Sequence, residues 1–171
     1  MTRDQKIVLA GAASGIAAMA LAMWLLSTRA LPPPPDVETL ADRLGYALRW
    51  VAVAALPLLA MLAAVGNARF LSEAIDPTRG AEDRKTIVNG RVADNTTQQF
   101  LLFAAGALGL AASLAPANMQ VIAAAAIWFV VARLAFWIGY RIDPLYRAFG
   151  FASTAYLNLG LLLASLWFAL A

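Results

Sequence analysis

The chain has 171 residues, 62% of them hydrophobic and 13% charged, with a net charge of +3 at neutral pH. A water-soluble domain carries roughly a quarter of its residues charged, so this composition, with a mean hydropathy of +0.71, excludes a soluble fold and reads as a multi-span membrane protein. Cysteine and histidine are both absent, which removes disulfides, thiolate nucleophiles, imidazole acid–base catalysis and the usual zinc and haem ligand sets; no metal site is expected.

The first apolar run, Ile7 to Ser27, is 21 residues long, enough at 1.5 Å per residue to cross a hydrocarbon core of roughly 30 Å. It is longer than a signal-peptide core and lacks a convincing cleavage site, so an uncleaved anchor is expected. Within it, Gly11 and Gly15 make a GxxxG pair that lets another backbone approach. Pro32 to Pro35 form a stiff, extended linker with no backbone donors. The second span runs from Tyr46 to Gly66, with Tyr46 and Trp50 at interface depth and a kink expected at Pro57. Residues 67–94 read as a polar loop, with one amphipathic turn at most. A third span runs from Asn95 to Leu114, and Pro116-Ala117-Asn118 returns the chain into a fourth, Met119 to Ile142, as an antiparallel neighbour. Asp143-Pro144 ends that span and can restart a helix, leading through Tyr146 and Arg147 to a fifth span, Phe149 to Ala171.

Basic residues set the expected orientation. With the N-terminus inside, Arg3, Lys6, Arg69, Arg79, Arg84, Lys85, Arg91, Arg141 and Arg147 fall inside and Arg29, Arg43 and Arg49 outside, nine against three. This bias predicts a cytoplasmic N-terminus and an outside C-terminus, and the absence of a clear targeting peptide and the short compact loops point to a bacterial inner membrane. The net positive charge is a topology signal, and no nucleic-acid partner is expected.

The stretch from Asn89 to Phe100 carries a polar sequence directly into the third span. If the helix has begun by Arg91, then Arg91, Asn95 and Gln98 lie at i, i+4 and i+7, on one face. The other reading makes Asn95 the N-cap and Gln98 the third residue of a capping box, with Thr96 and Gln99 offering the same pattern. On the fourth span Arg133, Phe136 and Tyr140 share a face, and on the fifth Arg147, Thr154 and Asn158 repeat at helical spacing. Arg133 lies about two turns inside its span, where an arginine costs at least ~2.5 kcal/mol unless it snorkels or is paired. It is expected to face protein, sheltered with Arg91 at a subunit interface; snorkelling to the headgroups is the alternative. Asn158 is expected to bond across helices, and Trp137 to sit in the interfacial aromatic belt.

Arg91-x3-Asn95-x2-Gln98 at the entrance of one span, followed by Arg133-Leu-Ala-Phe136-Trp-Ile-Gly139-Tyr140 and a basic turn after the next, resembles the membrane-associated proteins in eicosanoid and glutathione metabolism, the MAPEG family. The resemblance covers residues 46–171 as a four-helix membrane domain, with residues 1–45 an extra N-terminal helix and Pro-rich linker. It implies an all-α integral membrane helical bundle of five spans, assembled as a homotrimer. Glutathione is implied as co-substrate, bound between subunits near the cytoplasmic face. It further implies that Arg147 holds the thiolate, that Arg91 and Arg133 pair with glutathione carboxylates, that Asn95 hydrogen-bonds, and that Tyr140 orients the peptide. The sequence departs from the family pattern at Gln98, where a glutamate faces the glutathione amino group, and at Gln99 and Phe136, where tyrosines are common. The expected function is a glutathione-dependent transferase or peroxidase acting on lipophilic electrophiles delivered from the bilayer. The alternative is a non-catalytic membrane protein that binds a lipid-like ligand or serves a structural role.

Overall fold

The computed structural model describes residues 1–170 other than Pro77, Arg79 and Ala81. Two residues of the reading above, Arg79 in the count of basic residues and Ala171 at the end of the fifth span, lie outside the described residues. Five long helices make up the chain: α1 (Arg3–Leu25, continued by a wider π turn over Leu26–Ala30), α2 (Leu40–Phe70), α3 (Arg84–Ser113), α4 (Gln120–Ile142) and α5 (Arg147–Leu170). α5 is packed against α1, α3 and α4, while α2 lies against α3 and α4.

Local chemistry explains where the helices begin. Thr2 and Thr39 each close a capping box, with Gln5 and Asp42 respectively, and start α1 and α2. The largest difference from expectation is at α3. Asp83 caps it, accepting from the Thr86 N–H at 2.7 Å, so the helix starts well ahead of the apolar run. The polar stretch over 67–94 is therefore mostly helix, with α2 extending through Phe70 and only residues 71–83 left as a connection. Asn95 is mid-helix rather than an N-cap, and the capping-box reading falls with it. A partly exposed ion pair of Arg69 with Glu82 at 2.6 Å spans the connection, a contact worth little by itself.

At the opposite end of α3, Arg43 donates to the carbonyls of Ala111 and Ala112 at 3.3 and 3.4 Å. This places a cation at the negative end of the helix dipole. Between α4 and α5, Asp143 starts a turn, its carboxylate accepting from the Leu145 N–H at 2.8 Å, and α5 begins directly at Arg147.

Four of the helices are long and apolar enough to cross a bilayer: α1 with its π turn, α2, α4 with the turn before it, and α5. α3 differs because Arg84, Lys85, Arg91 and Asp94 occupy its first half; it is held by burial between α2 and α5. The main core is built on its apolar half, with Phe103 against Phe129 of α4 at 4.7 Å between centroids. The run Ala123–Ala126 on α4 is fully buried, its small side chains admitting the neighbouring helices closely.

Polar side chains tie this core together. Asn158 of α5, 1% exposed, donates from Nδ2 to the backbone and side-chain oxygens of Gln99 at 2.9 and 2.8 Å, as expected for an interhelical lock. Replacing Asn158 with leucine strands the buried Gln99 carbonyls, and should cost about 1–2 kcal/mol. The double variant with Gln99→Leu should recover part of that loss in thermal unfolding, because both partners are then apolar. Trp137 is half-buried, and its indole N–H donates to Asn89 Oδ1 at 2.9 Å.

α1 is peripheral, with only 6% of its apolar window buried against 50% for α4. Its contact with α5 is nonetheless specific. Gly15 is buried so close to the Phe149 carbonyl that a Cβ would overlap the oxygen, and at Gly11 a Cβ would come within 3.2 Å of Ala148 Cβ. The GxxxG pair is thus the seat of α1 on α5.

Candidate functional site: a cationic cleft between α1, α3 and α5

At one end of the bundle the first half of α3, the last turns of α4 and the first turns of α5 and α1 surround a cleft of about 650 Å³. Arg91, Asn95, Tyr140 and Arg147 line it, four of the six residues singled out from the sequence. Helical spacing brings them there: with α3 already formed at Arg91, that residue and Asn95 stand one turn apart on the same side.

Arg147 is the first residue of α5, exposed, with its guanidinium 5.2 Å from the centre of the Tyr140 ring. Its Nη1 donates to the Pro144 carbonyl at 2.9 Å. Tyr140 in turn meets Phe136 edge-on at 5.8 Å. No carboxylate lines the cleft among the described residues, and the Arg69–Glu82 ion pair lies elsewhere. Two guanidinium groups and the start of α5 therefore present positive charge to whatever enters.

Arg133 lies behind this surface rather than on it. It is 0% exposed within a single chain, so neither snorkelling nor a subunit interface is needed to shelter it. Its Nη1 donates to Thr154 Oγ1 and its Nη2 to Asn95 Oδ1, both at 3.0 Å. The guanidinium stacks 4.0 Å over the Phe136 ring, a favourable geometry for a desolvated cation. Its Nε has no partner within the protein. Arg133 thus fixes Asn95 and Phe136, two residues of the cleft wall. Phe136 supplies the aromatic face under the cation.

Gln98 is exposed and is not among the residues that line the cleft, although it stands two turns along α3 from Arg91, while its neighbour Gln99 is buried against Asn158. Sequence reasoning missed the apolar half of the cleft, which includes Phe151, Ala155 and Tyr156 of α5 and Val8 and Ala12 of α1. Phe151 and Ala155 follow Arg147 at i+4 and i+8, a signal present in the sequence. Nothing in the sequence pairs Val8 with them.

A family model, the MAPEG family, matches residues 47–167. The chain belongs to the MAPEG family. The matched segment takes in α3, α4, α2 after its first two turns and the cleft-lining part of α5, and leaves α1 and the Pro-rich linker outside it. No curated protein and no solved structure matches the chain. Within this MAPEG protein the cleft is therefore composite, with residues of the matched segment on three sides and α1 on the fourth.

Proposed function

We propose that this MAPEG protein is a glutathione-dependent transferase acting on hydrophobic electrophiles, with the cleft at the cytoplasmic end of the bundle. The observation that carries the reading is Arg147, a guanidinium with no carboxylate partner among the described residues, at the first residue of a helix, in a cleft that also holds Arg91, Asn95 and Tyr140. A thiol with a pKa near 8.5 is mostly protonated at neutral pH, and an adjacent cation at a helix N-terminus lowers that value. Arg147 supplies a nucleophile in this way without a histidine base. The thiolate sulfur attacks the electrophilic carbon, the new C–S bond displaces a leaving group or opens a ring, and water at the cleft mouth returns the proton. Arg91 and Asn95 suit the carboxylates and amides of the tripeptide, with Tyr140 against its backbone and Arg133 holding Asn95 in place.

The residues fit the acidic parts of glutathione better than its amino group, because no acid is among the described residues that line the cleft. An exposed Gln98 supports a homotrimer in which each copy offers this side chain to a neighbour's glutathione. Gln98→Glu is then expected to tighten glutathione binding about fivefold, as a charge-assisted bond replaces a neutral one. Thermal stabilisation by millimolar glutathione, with native mass spectrometry of the assembly, tests both points. A monomer whose stability ignores glutathione, in the parent and in Gln98→Glu alike, removes the transferase reading in favour of a non-catalytic, lipid-binding one.

A further inference from the structure

The outer faces of α2, α4 and α5 carry exposed leucine, isoleucine, valine and aromatic side chains, as a bilayer requires. One strip of α3 differs. Arg91, Asp94 and Gln98 are all exposed on it, and Leu101, 64% exposed, continues it. Its depth follows from the bonding of Arg133. Asn95, the residue after Asp94, accepts from Arg133 at 3.0 Å. Arg133 lies nine residues before the end of α4 at Ile142, on the order of 13 Å at 1.5 Å per residue. A carboxylate at that depth is too costly to face hydrocarbon unpaired. The Asp94 carboxylate takes part in no hydrogen bond or ion pair among the described residues, and Asp94 is not one of the residues that line the cleft.

Helical geometry separates the charges on this strip. At about 100° per residue, Asn95 stands about 40° from Arg91 on the cleft side and Asp94 about 60° from it on the other, with Gln98 between Arg91 and Asp94. One flank of the strip thus carries a guanidinium and the opposite flank a carboxylate, neither paired among the described residues. A pair formed within one helix would still face lipid. A closed ring of identical subunits instead brings unlike flanks of the same helix together, because its contacts are head-to-tail. We propose that Asp94 of one copy of this chain pairs with Arg91 of the next, so that each cleft receives from its neighbour the carboxylate it lacks. A guanidinium has five N–H donors, so Arg91 holds this carboxylate along one edge and keeps another for an acidic group in the cleft. The pair rests on the homotrimer proposed above and on none of the thiol chemistry.

The test is native mass spectrometry of the full chain in detergent, with the charge reversals Asp94→Arg and Arg91→Asp. The parent is expected as a trimer. Each reversal alone sets like charges against each other at every interface and should raise the monomer fraction roughly tenfold. Co-expressed with distinguishable masses, the two variants should assemble again, because unlike charges meet wherever the two different chains are neighbours. The chain carrying both reversals should also regain the trimer, which shows that the single variants fail by charge and not by misfolding. Recovery in the mixture is the deciding result, since a pair within one helix is broken in both chains and mixing cannot repair it. A trimer indifferent to either reversal overturns the proposal, as does a mixture no better than its components. A monomeric parent removes the pair together with the homotrimer. A trimer that conjugates glutathione while ignoring these reversals removes this inference alone, and a charge-dependent trimer without bound thiolate removes only the transferase reading.

Discussion

Replacing Arg147 with alanine is expected to cut kcat about thirtyfold at pH 7, with a much smaller loss of glutathione affinity. The magnitude follows from ionisation. A free thiol of pKa about 8.5 is only ~3% thiolate at pH 7, whereas one lowered to about 6 beside a cation is almost fully ionised. The sign is checked by pH: the lowered pKa helps only below about 8.5, so the two proteins should converge as pH rises past that value. On the proposed reading affinity survives better, because Arg91 and Asn95 would still meet the tripeptide, and an interaction strengthened in the transition state is lost chiefly from kcat. Arg147→Lys keeps a cation and should recover part of the rate. The decisive measurement is ultraviolet titration of the bound thiolate alongside a chromogenic-electrophile assay. A bound thiol that titrates identically in the parent and in Arg147→Ala rejects the assigned role.

Arg133→Ala should be the most destabilising single change, on the order of 3 kcal/mol. It removes two charge-assisted hydrogen bonds, leaves Asn95 Oδ1 without its donor, and opens a cavity under Phe136. For a chain of this size that amounts to a fall in Tm of roughly 6–12 °C. Arg133→Met provides the contrast. It fills much of the volume and abolishes the burial of an uncompensated charge, and such apolar replacements of buried charges are often neutral or better. A Met variant nearer the parent than the Ala variant shows that packing and stranded partners dominate. If the two fall equally, the guanidinium itself organises this part of the core. Neither result bears on Arg147, whose side chain is exposed.

The helical class, the approximate place of every long helix and the family were legible in the sequence, because apolar runs of membrane length and a few spaced polar residues carry that information directly. Helix ends were less so. Asp83 begins α3 in a charged stretch where hydropathy gives no sign, and a single capping carboxylate outweighed the polar character of the next ten residues. The fate of Arg133 was half visible: its depth demanded partners, but Thr154 and Asn95 close around it within one chain only because Gly150 lets α5 approach the α4 backbone at Ala132 and Phe136. Gln98 and Gln99 show the limit of motif reading. Adjacent glutamines on one helix point to opposite environments, and the turn of the helix, not the residue type, decides which is buried. Val8 and Ala12 could not be placed from sequence at all, since their role depends on the packing of α1 on α5.

The enclosure of Arg133 also orders the assembly of the bundle in time. Its two hydrogen-bond partners lie 38 residues before it and 21 after it. When α4 leaves the ribosome, Asn95 has already been made, whereas Thr154 has not. Until α5 docks, the guanidinium must keep part of its hydration or reach toward the headgroups, because an unpaired arginine in the hydrocarbon is too costly to persist. Arrival of the last helix is therefore the step that expels this water and commits the bundle to its final packing.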